Sequence, residues 1–284
     1  MEKGTIGVQM MMLKGEVQKH GIYAVMGRLA ELGFHAVEVS QLDMTADNVA
    51  QLQRGQCDFG VRVAAMSCGL EDLSPEYKYP GDTLKNDFDK IVADCHAVDC
   101  PILRIGMLPM SYAASPERML EMTALLESYA VRLKEHGIDL YYHAHTFEFY
   151  RWQGKTVLEQ MRDRTQAMGF ELDSHWMWRG GVDPAEFVGR FAGRVRAIHL
   201  KDYRIGLVAD PAGYKPGFDI FGSIEQFAEV GEGVLDMPAV IQAGLAAGSE
   251  FFFIEQDRTY GRDVYESLRL SRDNLIRMGY ESWL

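Results

Sequence analysis

Short runs of β-branched and aromatic residues alternate along this chain with longer stretches whose apolar positions recur every three or four residues. Runs of the first kind suit buried strands, and stretches of the second kind suit helices with one apolar face. The pattern predicts strands at Ile6–Gln9, His35–Val39, Val61–Met66, Ile102–Ile105, Ile138–His143, Gly169–Asp173, Val195–Lys201 and Phe251–Glu255. Between them, Ile22, Val25, Leu29 and Leu32 share one helical face ahead of Gly33, and Leu84, Phe88, Ile91 and Cys95 share another. Ser115-Pro116 joins a capping hydroxyl to a proline in the first turn, opening a helix that runs to the His136-Gly137 pair. Asp183-Pro184-Ala185-Glu186 has the spacing of a capping box, and Asp236 precedes Met237-Pro238 as a cap. Val264, Leu268, Leu275 and Ile276 stripe a final helix.

Eight strands, each leading to a helix or to a loop that enters one, imply an α/β fold with parallel strands closed into a (β/α)8 TIM barrel. At 284 residues the chain has the length for one such barrel, and no Pro/Gly/Ser-rich linker divides residues 1–284 into smaller domains. Arg204 to Gly233 reads as the longest irregular connection. It follows the seventh strand, on the face where barrel enzymes keep their active-site loops.

Composition narrows the partners. The formal net charge is −12, which argues against nucleic acid, since phosphate binding needs clustered Lys and Arg. No apolar run approaches the roughly 20 residues that cross a bilayer, and the start Met-Glu-Lys-Gly-Thr carries no signal peptide, so a cytoplasmic protein without a membrane partner is expected. Cys57, Cys68, Cys95 and Cys100 form no CxxC pair and read as free thiols. The Met10-Met11-Met12 run reads as core or mouth filling.

The chemistry gathers at the carboxyl ends of the last four strands, where Glu148, Asp173, His199 and Glu255 stand at or just beyond the strand tips. In a barrel those tips converge on one mouth. Carboxylates with an imidazole form an oxygen-rich site suited to a divalent metal: Mn²⁺ first, with Mg²⁺, Co²⁺ or Zn²⁺ as alternatives. Period-two alternation adds Lys201 beside His199, Glu171 beside Asp173, Asp257 beside Glu255, and the pair His143 and His145. Lys201 is placed to hold a substrate oxygen. His143 and His145 are placed for sugar hydroxyls or to orient Glu148, Trp176 for an apolar wall, and Glu38 for substrate hydroxyls or a pairing with Arg62 or Arg104. The same four residues also admit a metal-free reading as a salt-bridged plug at the barrel top, although clustered carboxylates without a cation are costly.

The segments Tyr142-His143-Ala144-His145-Thr146-Phe147-Glu148-Phe149, Asp173-Ser174-His175-Trp176, His199-Leu200-Lys201-Asp202, Gly231-Glu232-Gly233-Val234-Leu235-Asp236 and Glu255-Gln256-Asp257 occur in order. Together they resemble the xylose isomerase-like barrel superfamily of sugar phosphate isomerases and epimerases, which includes ketose 3-epimerases, hydroxypyruvate isomerase, inosose isomerase and inosose dehydratase. The resemblance implies that Glu148, Asp173, His199 and Glu255 are the metal ligands. It also implies that Glu148 and Glu255 are a catalytic acid/base pair on opposite faces of the substrate, and that barrels of this kind pair as homodimers or homotetramers. Trp176 departs from a histidine common at that position. The regions Met66-Ser67-Cys68 and Arg104-Ile105-Gly106 lack the histidines of the related apurinic endonucleases.

The expected activity is therefore a metal-dependent isomerisation or epimerisation of a small ketose, keto-inositol or sugar phosphate through an enediolate. Dehydration of a keto-sugar at the same metal is the alternative. A non-catalytic carbohydrate-binding barrel is a third reading, which two paired glutamates disfavour. Trp283 and Tyr280 are candidates for a subunit contact.

Overall fold

The computed structural model describes residues 4–207 and 224–284. Strands β1 (Thr5–Gln9), β2 (Ala36–Val39), β3 (Arg62–Cys68), β4 (Ile102–Ile105), β5 (Asp139–His143), β8 (Gly169–Asp173), β9 (Ala197–Leu200) and β12 (Phe251–Ile254) close into one barrel. Every pairing round it is parallel, and β1 joins β12 on one side and β2 on the other. The expected TIM barrel and its eight strands are all present, with ends shifted by no more than two residues. Two short antiparallel hairpins stand outside the barrel: β6 (Arg151–Trp152) with β7 (Lys155–Thr156), and β10 (Asp202–Ile205) with β11 (Glu225–Ala228).

Helices α1 (Lys14–His20), α2 (Ile22–Glu31), α3 (Ala46–Phe59), α4 (Leu84–Ala97), α5 (Pro116–Lys134), α6 (Val157–Asp163), α7 (Ser174–Arg179), α8 (Pro184–Val188), α9 (Met237–Ala247) and α10 (Val264–Arg277) belong to the connections. Their starts follow local chemistry. Ser115 caps α5 by accepting from Arg118 N–H, and Asp236 caps α9 by accepting from Ala239 N–H. Asp183 caps α8 from its side chain alone. The reciprocal capping box forms instead at α6, between Thr156 and Glu159.

Alternation along the strands sorts side chains between two apolar regions. Outward residues such as Val37, Leu103, Leu140, Tyr142, Phe170, Leu172, Ile198, Phe252 and Ile254 pack against the helices. Inward residues Ala36, Ala65, Ile102, Tyr141, Ala197, Phe251 and Phe253 fill the lower barrel. Gly7 and Gly169 make room for that filling: a Cβ at Gly7 meets the Phe253 ring at 2.9 Å, and one at Gly169 collides with the Tyr141 ring. One step nearer the carboxyl ends, the inward positions turn polar: Gln9, Glu38, Arg104, His143, Glu171, Asp173, His199 and Glu255, all fully or almost fully buried. The floor is therefore oily and the mouth ionic.

Two expectations change here. Part of the stretch from Arg204 to Gly233 is the ordered hairpin β10–β11, paired from Asp202↔Ala228 to Ile205↔Glu225; residues 208–223 lie outside the described residues. Tyr280 and Trp283 are not presented for a subunit contact. They are 7% and 9% exposed, their rings meet edge to face at 4.8 Å, and Trp283 also packs against Phe252.

Candidate metal centre

The tips of β5, β8, β9 and β12 deliver His143, Asp173, His199 and Glu255, whose donor atoms lie within 4.8 Å of one another. Parallel register sets this up: Asp173 pairs with His199 across β8–β9, and His143 with Glu171 across β5–β8. The His199 ring is shared between two acidic pairs. Its Nδ1 lies 2.8 Å from Glu255 Oε2 and 3.8 Å from Asp173 Oδ2, while its Nε2 lies 3.2 Å from both Glu38 and Glu171. Glu38, Glu171 and His199 form a second group of donors immediately beneath the first.

Two fixed cations hold the carboxylates apart. Arg104 Nε reaches Glu38 Oε1 at 2.6 Å and Glu171 Oε2 at 3.2 Å, and its Nη2 donates to Ser40 Oγ at 3.1 Å. Lys201 Nζ lies 2.7 Å from Glu255, 2.8 Å from Asp257 and 3.5 Å from Asp173. It stands over the rings of Trp176 and Phe227, 5.0 and 5.3 Å from their centroids. Gln9 Nε2 donates to Glu255 Oε1 at 2.7 Å, while Gln9 Oε1 accepts from Met11 N–H. That second bond fixes which end of the amide faces the glutamate.

The field inside this cluster is uneven. Burial opposes ionisation of Glu38, yet Arg104 and His199 hold its carboxyl down at about 2. Glu171, buried beside Glu38, is pushed up to about 7, and burial raises Asp173 to about 6 against the pull of Lys201. Burial opposes charge on His199, but Glu171, Glu38 and Glu255 together raise its proton affinity well above the usual range. Burial also works against ionisation of Glu255, which Lys201 and His199 overcome to hold it well below that of a free carboxyl. Burial and the charge of His199 keep His143 neutral, and burial with Lys201 lowers His145 to about 3. Five carboxylates (Glu38, Glu171, Asp173, Glu255, Asp257) thus face two permanent cations.

These residues fit a divalent metal. Asp173 Oδ2 and Glu171 Oε1 are buried without a hydrogen-bond partner among the described residues. Buried polar atoms are rarely left in that state unless an ion or water completes them. Donors about 2.1 Å from an ion lie up to about 4.2 Å apart, so the 4.8 Å spread needs closure by only a few tenths of an ångström. Oxygen and imidazole donors without thiolate suit Mn²⁺, Co²⁺ or Zn²⁺.

A cavity of about 320 Å³ opens onto the centre, lined by Gln9, Ser40, Tyr79, Arg104, His143, His145, Lys201, Glu255 and Asp257. A second, of about 560 Å³, lies under Met119, Phe147, Phe149 and Tyr150. Its lining includes Arg179 but no carboxylate or imidazole, so the smaller cavity is the chemical one.

Most residues singled out in the sequence meet here, with one exception. Asp173, His199, Glu255 and Lys201 converge, His143 joins them, and His145 lines the cavity. Trp176 packs beside His145, ring centroids 5.4 Å apart, and Glu38 pairs with Arg104 rather than Arg62. Glu148 is not brought to the cluster. It sits on a 3-10 turn, Phe147–Phe149, where Tyr142 Oη donates to Oε1 and His145 N–H donates to Oε2. Sequence reasoning passed over Gln9, whose signal was a polar residue closing an otherwise apolar first strand, and Arg104, read only as a possible partner of Glu38.

Residues 26–273 match the xylose isomerase-like TIM barrel family. The chain belongs to that family. No curated protein matches it. Among solved structures, two sugar phosphate isomerase/epimerases of Parabacteroides distasonis are each 18% identical. They superpose with TM-scores of 0.71 and 0.73 over 97% and 96% of this chain and 94% and 98% of theirs. The probable 3-DHS dehydratase AsbF of Bacillus anthracis, said to be involved in petrobactin synthesis, is 12% identical, with a TM-score of 0.62 over 96% of this chain and 98% of its own. At such identities these xylose isomerase-like barrels share the fold, and the reaction differs from one to the next.

Proposed function

We propose that this barrel is a divalent-metal-dependent isomerase or epimerase that moves a proton on a carbon next to the carbonyl of a small ketose, keto-inositol or sugar phosphate. The observation that supports it is the convergence of His143, Asp173, His199 and Glu255 beside a polar cavity, with Asp173 Oδ2 lacking a hydrogen-bond partner among the described residues. A divalent cation, Mn²⁺ first among the candidates, supplies positive charge for the oxygens of an enediolate when bound there. Glu255, ionised and oriented by Gln9, accepts the carbon-bound proton. Lys201, clamped between Glu255 and Asp257, holds a substrate oxygen and keeps Glu255 ionised. His145, neutral at the cavity wall, meets a hydroxyl, and Trp176 packs beside it.

The test is hydrogen exchange. Ketoses, keto-inositols and their phosphates are incubated in D₂O with Mn²⁺-loaded protein, and deuterium at the carbon next to the carbonyl is followed by NMR. Exchange that disappears on chelation or in Glu255→Gln is expected; exchange at full rate in chelated protein would contradict the proposal.

The dehydratase reading gains from one observation. Glu148 is turned to Tyr142 and His145, so it does not face Glu255 as the second member of the expected acid/base pair. A single base suits elimination as well as isomerisation. Loss of water from the product, read by mass, separates the two.

A further inference from the structure

We infer that His143, not Glu148, completes the metal's protein ligands, so that the centre is built from two histidines and two carboxylates, and that Glu148 is a positioning residue for the loop carrying His145. This rests on the metal reading above and specifies its donor set.

The two candidates for the β5 ligand lie on opposite sides of the strand wall. Alternation turns Tyr141 and His143 into the barrel and Tyr142 out toward the helices; Tyr141 belongs to the inner apolar group and Tyr142 to the outer one. Glu148 accepts the hydroxyl of Tyr142, so its carboxylate is moored to the outward side chain. Its other oxygen is taken by His145 N–H at 2.9 Å. Both oxygens are satisfied and the residue is fully buried, so reaching the centre means breaking both bonds. A buried charged-group hydrogen bond is costly to leave unmade.

His143 has the opposite situation. It is the last residue of β5, 2% exposed, and its ring centroid lies 4.5 Å from that of His199. Its donor is already grouped with those of Asp173, His199 and Glu255, and its Nδ1 faces Glu171 Oε2 at 3.1 Å without a formed hydrogen bond. A carboxylate behind a ligating imidazole is the usual arrangement that orients the ring toward a metal. The mooring of Glu148 in turn closes the turn after β5 and sets the backbone of His145, which lines the cavity.

The experiment is Mn²⁺ titration of the full chain by electron paramagnetic resonance. Pulsed measurement of nitrogen couplings then counts the imidazoles on the bound ion. Wild-type protein is expected to bind one Mn²⁺ with two imidazoles. H143Q should keep one imidazole and bind at least tenfold more weakly, whereas E148Q should keep two with a Kd within about threefold of wild type. Tyr142→Phe removes only the outer mooring and guards against misfolding of E148Q; it too should leave the affinity and the imidazole count unchanged. In E148Q the KM for substrate is expected to rise more than kcat falls, the signature of a displaced His145. One imidazole on tightly bound Mn²⁺, or loss of Mn²⁺ in E148Q but not in H143Q, overturns this assignment and leaves the metal reading standing. Failure of both Mn²⁺ and Co²⁺ to bind overturns both.

Discussion

The floor and the mouth of the barrel are built by the same strands with the same alternation, yet they do opposite things. At the floor, Phe251 and Phe253 stack at 5.8 Å over Ala36, Ala65, Ala197 and Ile102, every one buried and apolar. One or two residues further along the same strands stand Glu38, Arg104, Asp173, His199 and Glu255, equally buried and almost all ionisable. Burial stabilises the first layer and penalises the second. The contrast teaches that stability and chemistry are segregated along the barrel axis. The lower half supplies rigidity, and the upper half holds charges in a state they would abandon in a looser scaffold.

If this division holds, substitutions at the two levels must fail differently. The largest effect is expected at the mouth. Asp173→Asn removes a donor and should lower metal-dependent activity by at least about 10³-fold. Thermal unfolding without metal should remain within about 1 kcal/mol of wild type or become more favourable to the fold, because a poorly compensated buried carboxylate is gone. A floor substitution should invert that result: Phe253→Ala leaves the donors in place but opens a cavity, costing about 3–5 kcal/mol in denaturant unfolding.

An intermediate effect is expected at the junction of barrel and hairpin. Asp202 is fully buried and accepts from the backbone N–H groups of Tyr203, Gly231, Gly233 and Leu235 at 2.7 to 3.1 Å. It thereby staples the Gly231-Glu232-Gly233 turn to the start of β10, and no Cβ fits at Gly233 beside it. Asp202→Ala should destabilise the chain by about 2–3 kcal/mol, read by urea unfolding, and raise hydrogen exchange in the segment 229–235.

The smallest effects belong to the outer surface. Glu127 on α5 accepts from Gln166, Ala167 and Met168 N–H at 2.7 to 3.0 Å. Burial works against its ionisation, but these bonds hold its pKa below the ordinary value. Its contribution is therefore present above the unfolded pKa, about 4.3, and lost as pH falls through the lower folded value. Glu127→Gln should cost about 1 kcal/mol at pH 7, after solvent screening of this half-exposed group, and the gap to wild type should close below pH about 4. Equal loss at both pH values would show that packing rather than charge holds this connection.

How much of this was legible in the sequence follows from where local pattern controls geometry. The eight strands could be read because alternation and helical periodicity are properties of neighbouring residues. Asp173, His199 and Glu255 could be read for the same reason, since each sits at a strand tip where the pleat fixes its direction. Glu148 could not, because it lies beyond β5 on a 3-10 turn, where the pleat no longer determines facing. The hydroxyl of Tyr142, six residues earlier in sequence, captures it instead. The β10–β11 hairpin was hidden because Asp202–Ile205 and Glu225–Ala228 are far apart in sequence and neither is strongly apolar. Gln9 escaped notice because an amide does not titrate, although it gives Glu255 an orienting bond from the neighbouring strand β1.

The central claim is that the tips of β5, β8, β9 and β12 grip a divalent cation. Anomalous scattering from crystals grown with Mn²⁺ tests it most directly. A single strong peak among His143, Asp173, His199 and Glu255 is the result this account requires. A mouth without a peak, with Lys201 bridging Glu255 and Asp257 alone, would contradict it.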